Sequence, residues 1–174
     1  ISADTARNLP DFRASERTFQ LLAQVAGRTG RSDTPGRVLV QTFSPDDPAV
    51  VAAARHDYLA FAKGELQIRK DFCYPPFERL TRIILRSTSE TTARQAIQGL
   101  ADQLREAAKK DPAVRILGPA PAPIVKLKDH FRMHLQLRSP DAEANRRVLA
   151  AGLSTFEPPS DVEYAVDVDP WSQL

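Results

Sequence analysis

Arg28 and Arg31 stand three positions apart, each directly after a glycine, and Gln24 precedes the first by four. The stretch reads QVAGRTGR. A guanidinium is a planar fork that meets phosphate oxygens in pairs and keeps its charge at any physiological pH. Gly27 and Gly30 let the backbone approach closely and leave room for a nucleotide. Gln24, one helical turn before Arg28, has the reach to orient a phosphate or a water. In phosphoryl transfer, arginines supplied by a second lobe neutralise the charge that builds as the terminal phosphate leaves. A solvated basic turn after a helix is the plain alternative.

A second cluster lies in KLKDHFR, where Lys126, Lys128 and Arg132 surround one hairpin turn. Charges there can meet backbone phosphates, and Phe131 or His130 could stack on an exposed base. Here the plain alternative is a solvated loop.

The totals bound what these groups do. The 174 residues make about one domain, or one domain and part of another. Lys and Arg number 24 against 22 Asp and Glu, a net charge of +2, so polyanion binding must come from local patches. A single cysteine, Cys73, excludes an internal disulfide framework and a cysteine-built zinc site, and a reducing compartment is the simple expectation. The three histidines are scattered, so no resident metal is expected. No apolar run approaches the roughly 18 residues of a membrane span, and no signal peptide is visible. The chain starts at Ile1 without a methionine and reads as the middle of a larger protein.

Elements must hold those groups in place. SERTFQLLAQVA (15–26) predicts a helix, with Ser15 as its cap and Phe19, Leu22 and Ala26 at helical spacing. GRTGRSDTPG breaks it. RVLVQTF (37–43) predicts a short strand. Residues 49–72 predict one helix with Tyr58, Phe61 and Leu66 near one side, and the proline pair of CYPPFE stops it.

From residue 80 the order is more regular. LTRIILRS (80–87) predicts a strand. Ser87 and Glu90 form a capping-box pattern ahead of a helix reaching about Lys110, with Ala93, Ile97, Leu100, Leu104 and Ala107 as its apolar stripe. VRILG (114–118) predicts a strand, and PAPAP after it a stiff extended connector. FRMHLQLR (131–138) alternates, which puts Arg132, His134 and Arg138 on an open face. Asp141 should cap a helix carrying Val148, Leu149 and Leu153, and VEYAVDVD (162–169) predicts a last strand with Val162, Tyr164, Val166 and Val168 inward. The order is β-α-β-β-α-β, a split βαβ unit with both helices on one face of its sheet.

Q-x-x-G-R-x-G-R after an amphipathic helix resembles motif VI of superfamily 2 helicases. The longer stretches LPDFRASERTFQLLAQVAGRTGR, PGRVLVQTFSP, HDYLAFAKGELQIRKDFCYPPFERL and LGPAPAPIVKLKDHFRMHLQLRSP are similar to the C-terminal part of the primosomal replication-restart helicase family. That resemblance implies an α/β and α+β chain. Residues 1–45 would end a RecA-like helicase lobe 2 with motifs V and VI, 46–77 would form a helical connector, and 78–174 a C-terminal DNA-binding domain like ribosomal protein S10. It further implies that Gln24, Arg28 and Arg31, with Gly27 and Gly30, face ATP held on another lobe. Asp4, Asp11 and Arg13 would fall in motif V, which couples nucleotide state to the DNA strand; Asp11 and Arg13 could equally cap or pair at the start of the helix. The DNA contacts would be Lys126, Lys128 and Arg132. The acidic tail of single-stranded-DNA-binding protein would dock near Arg146 and Arg147.

The implied parent is a cytoplasmic, nucleoid-associated, ATP-dependent 3′–5′ DNA helicase that works on forked or single-stranded DNA with other primosome proteins. It would use ATP and magnesium, and zinc bound outside this chain. No G-x-x-x-x-G-K-[ST] loop and no D-E-x-H box occur in the 174 residues, so this chain alone is expected to lack ATPase and unwinding activity. A stand-alone, non-enzymatic nucleic-acid or protein-binding module of S10-like fold is the competing reading. The second lobe of an RNA helicase is a third, which PAPAP and the β-α-β-β-α-β tail argue against.

Overall fold

The computed structural model describes residues 2–4, 8–29 and 37–172. The chain divides into two compact units, Ile1–Phe72 and Cys73–Leu174. Among the described residues, five helices combine with one four-stranded antiparallel sheet.

The first unit holds helices α1 (Ala14–Thr29), α2 (Pro48–Ala54) and α3 (Tyr58–Asp71). Phe19 and Leu22 of α1 pack on Ala49, Ala52 and Ala53 of α2 and on Phe61 of α3. The Phe19 and Phe61 rings stack with centroids 4.4 Å apart, and the small alanines let the helices approach. Arg69 links α3 to α1, donating to Glu65 and Glu16 at 2.8 Å each and lying over the Phe12 ring. Burial opposes its charge, yet the two carboxylates leave its pKa above the ordinary value.

Three expectations fail in this unit. Ser15 lies inside α1 and does not cap it; just ahead of the helix, Asp11 Oδ1 accepts from Arg13 N at 2.9 Å in a turn. The helix expected over 49–72 is two helices. His56 adopts a left-handed φ of 54°, which ends α2, and Asp57 caps α3 by accepting from Ala60 N. Residues 37–43 form no strand: Gln41 makes one parallel bridge with Ser2, and a strand needs a longer neighbour than that. On α3, Phe61 is buried while Tyr58 and Leu66 remain exposed.

The second unit runs β1 (Arg79–Ser87), α4 (Glu90–Ala108), β2 (Arg115–Leu127), β3 (His130–Ser139), α5 (Ala142–Leu153) and β4 (Glu163–Val168). The sheet order is β2-β3-β1-β4. Ile83 and Leu85 of β1 and Met133, Leu135 and Leu137 of β3 turn to one face, where Ile97, Leu100, Leu104 and Val148 from both helices meet them in a single core. Burying each such side chain contributes about 1.5–3 kcal/mol. The helices approach closely at Gly152, where a Cβ would stand 2.5 Å from Leu104 Cδ2.

The expected cap of α4 moves by two residues. Ser89 accepts from Thr92 N at 3.3 Å, while Ser87 is buried and donates to Asp161 at 2.7 Å. Asp141 caps α5 as read, accepting from Glu143 N. PAPAP is not a connector. It lies inside β2, whose register with β3 shifts on either side of Ala120 and Pro121. β2 forms one border of the sheet, where a residue without an N–H is tolerated. Gly118 enables the bulge, with φ of +96° and too little room for a side chain against the His134 carbonyl. At the other border, Val162 just ahead of β4 is buried and Val166 on β4 packs on the core, but Tyr164 and Val168 are exposed.

Candidate functional site

The first unit carries the arginine segment at the end of α1. Gln24, Gly27 and Arg28 all sit on its exposed side, in the last two turns. Helical spacing puts Gln24 one turn before Arg28, so an amide and a guanidinium project along one line. Arg31 and Gly30 lie outside the described residues. Asp4 accepts from Thr42 Oγ1 at 2.8 Å and from Phe43 N at 3.1 Å, tying the start of the chain to residues 42–43. Asp11 is buried and pairs with Arg17 at 3.1 Å, while the Arg13 guanidinium lies 5.0 Å from the centre of the Phe12 ring. Asp4 and Asp11 thus have structural work in this chain.

The second unit carries the basic hairpin. Lys128 and Asp129 form a two-residue turn with φ of 47° and 63°, the left-handed pair that twists a tight hairpin correctly. Neither is a glycine or asparagine, so the turn holds an exposed lysine at its tip at some conformational cost.

The three expected contacts do not share one surface. Lys126 sits opposite Phe131, with its Nζ 5.1 Å from that ring's centre and 3.6 Å from Asp129. Lys128 and Arg132 instead line a cleft of ≈ 380 Å³ on the open face of the sheet, together with Arg86, His130 and Glu163. Strand register explains the gathering. Arg86 of β1 lies directly between Arg132 of β3 and Glu163 of β4. Arg86 Nε donates to Glu163 Oε2 at 3.0 Å, and its Nη2 donates to the same oxygen. These bonds, and more weakly His130, hold the Glu163 carboxyl below its usual pKa. Arg132 donates to the Ile124 carbonyl at 3.3 Å. His130 Nδ1 lies 2.8 Å from the Lys128 carbonyl, to which it donates.

Sequence reasoning missed Arg86 and Glu163. The signal was present: LTRIILRS places Arg82 and Arg86 two strand steps apart, on one face, and β3 was read with the same parity. The other end of this face is closed. Arg82 is 1% exposed and Gln136 8%, and the Tyr74 ring lies 4.5 Å from the Arg138 guanidinium. His134 is half-buried there, as is Arg138.

Arg146 and Arg147 project from α5. Arg146 pairs with Glu143 at 2.9 Å, and Arg147 with Asp111 at 2.6 Å, where it holds that carboxyl below its ordinary pKa. Both are exposed, and both are already engaged by carboxylates. Among the described residues no group of three His, Cys, Asp or Glu could hold a metal ion, and no helix is long and apolar enough to cross a membrane.

Residues 70–171 match the family described as primosomal protein N C-terminal domain. The chain belongs to that family. It is 39% identical to the replication restart protein PriA of Treponema pallidum over 172 residues, covering 99% of this chain and 26% of that protein. The PriA of Synechocystis sp. is 36% identical, with 99% and 20% covered. That of Bacillus subtilis is 37% identical over 132 residues, with 76% and 16% covered. The chain therefore spans about a quarter or less of the length of these relatives, and the family match reaches across the whole second unit's sheet and helices.

Proposed function

We propose that this chain is the C-terminal part of an ATP-dependent 3′–5′ DNA helicase that recognises stalled forks and restarts replication by primosome assembly. The observation that carries the reading is the alignment of 99% of the chain with a protein named replication restart protein PriA. The exposed line of Gln24 and Arg28 supports a role for α1 in the half of an ATP site that neutralises the terminal phosphate, a role the motif shares with Gly27, Gly30 and Arg31. ATP and magnesium would be held by residues outside this chain, as would zinc. In this reading residues 1–45 end a RecA-like lobe. The β2-β3-β1-β4 order supports the S10-like assignment of the second unit.

The share of this chain alone is binding without turnover. Lys126, Lys128 and Arg132 contact the phosphates of forked or single-stranded DNA, with little sequence preference and a steep salt dependence. The acidic tail of single-stranded-DNA-binding protein docks at Arg146 and Arg147, exchanging their internal carboxylates for its own. The protein works in the cytoplasm, on the nucleoid, with other primosome proteins.

The test is direct. The 174-residue chain is assayed for binding to forked DNA, blunt duplex and RNA at two salt concentrations, and for DNA-stimulated ATP hydrolysis. Fork binding that weakens with salt, and no hydrolysis, is expected. ATP turnover that is lost on Arg28→Ala would overturn the division of labour. Equal binding to RNA and fork, or none to either, would favour the stand-alone module.

A further inference from the structure

The open-face cleft holds an arrangement that folding alone does not favour. Arg86 and Arg132 stand directly opposite on adjacent strands, and like charges so placed repel. Lys128 adds a third cation from a left-handed turn position. Among the described residues lining the cleft, one carboxylate faces these three cations, that of Glu163, and it bonds Arg86 alone. Among the described residues Arg132 bonds a carbonyl, that of Ile124, at 3.3 Å. The row Arg132–Arg86–Glu163 is therefore a positive groove with its far end plugged by the chain's own anion.

We infer that the cleft is a phosphodiester site for single-stranded nucleic acid and that Glu163 is its internal competitor, released from Arg86 when a backbone phosphate takes its place. This rests on the DNA-binding reading above and adds to it a site on the open face and a latch. A polyanion is favoured over a lone carboxylate because the cations are spread along the groove, from Arg86 through Arg132 to the hairpin tip, as repeating phosphates require. Arginine suits the exchange, because its fork accepts carboxylate or phosphate in the same geometry. The Arg86–Glu163 pair is exposed, with side chains 54% and 61% accessible, so the exchange needs no rearrangement of the core. No bond is made or broken beyond hydrogen bonds.

The experiment measures fluorescence anisotropy of a labelled oligothymidylate of roughly 12 nucleotides against the full 174-residue chain, across a salt series. Glu163→Gln is expected to tighten binding about two- to fivefold, the gain from removing a competitor as strong as an exposed ion pair. The log–log salt slope should steepen by about 0.7, one phosphate more. In an Arg86→Gln background Glu163→Gln should have no effect. Glu106→Gln, which removes the same charge from an exposed pair with Lys109 on α4, serves as the control for net charge. Circular dichroism confirms that each variant folds.

The latch is overturned if Glu163→Gln matches the wild type, matches Glu106→Gln, or acts equally without Arg86. If DNA still binds and Lys128→Ala weakens it, the latch alone has failed. If neither the wild type nor Glu163→Gln binds the oligonucleotide, the DNA-binding reading falls with it. An acidic peptide that gains affinity on Glu163→Gln while the oligonucleotide does not would also overturn the assignment to nucleic acid.

Discussion

Arg82 Nε donates to His134 Nδ1 across 3.3 Å, diagonally between β1 and β3 on the closed end of the sheet's open face. The bond requires Nδ1 to be bare, so the ring proton sits on Nε2 and the imidazole is neutral. Burial first, then the Arg82 and Arg132 charges, lower the His134 pKa from 6.5 to about 4. Between these values the unfolded chain takes up a proton that the folded chain refuses. The unfolding free energy should therefore fall as pH drops from 6.5 towards 4. The part due to His134 is roughly 1–2 kcal/mol, discounted because the ring is still partly solvated. Urea unfolding at pH 7 and pH 5 checks it: the difference should shrink in His134→Gln. An NMR titration of the ring in the folded chain should have its midpoint near 4.

Gly152 and Gly99 give opposite answers to the same substitution. A methyl at Gly152 meets Leu104 Cδ2 at 2.5 Å and Cγ at 2.9 Å, inside a core where Leu104 is fully buried. Gly152→Ala should lose about 1–3 kcal/mol to overpacking, in spite of its better helix propensity. Gly99 is exposed on α4 with nothing near its missing side chain. Gly99→Ala should gain about 0.5–1 kcal/mol. Thermal unfolding of the two variants decides this; a stabilised Gly152→Ala would mean that α4 and α5 do not touch where described.

Ser89 rather than Ser87 starts α4. Ser89→Ala removes the acceptor for Thr92 N and should cost about 1 kcal/mol. Ser89→Gly should cost only a few tenths. Chemical denaturation distinguishes the two, and equal losses would argue against a capping role.

Lys126 and Lys128, two residues apart, should not be equivalent in DNA binding. Lys128 lines the cleft with Arg86 and Arg132, while Lys126 is occupied with Phe131 and Asp129. Lys128→Ala should flatten the salt dependence of single-strand binding by about 0.7 in slope, and Lys126→Ala should change it less. Matching slopes would return the contact to the hairpin as a whole.

The second unit was the more legible half. Strict alternation in FRMHLQLR and the three-and-four spacing on α4 each point to one buried face, and Met133, Leu135, Leu137, Ala93, Ile97, Leu100 and Leu104 stand in the core, though Phe131 does not join it. What escaped the reading was whatever depends on neighbours. PAPAP looks like a rigid spacer until β3 offers it a partner on one side only. RVLVQTF has a strand's composition, but an extended segment becomes a strand only beside another, and among the described residues it makes one bridge, to Ser2. The break at His56 turns on a single backbone angle that no periodicity records. Arg86 and Glu163 meet across 77 positions, a pairing set by register rather than by spacing. Arg28 was legible as part of a motif, and the phosphate chemistry proposed for it would need an opposing surface.

The prolines of β2 have a further effect on the molecule's behaviour in solution. Pro119, Pro121 and Pro123 alternate with alanines. These prolines have no N–H to offer at the border of a sheet that would otherwise present a template to an extended chain. A sheet border short of donors recruits such a chain poorly, and three prolines remove three donors here. Replacing them with valine would restore those donors to the border and favour strand-to-strand association.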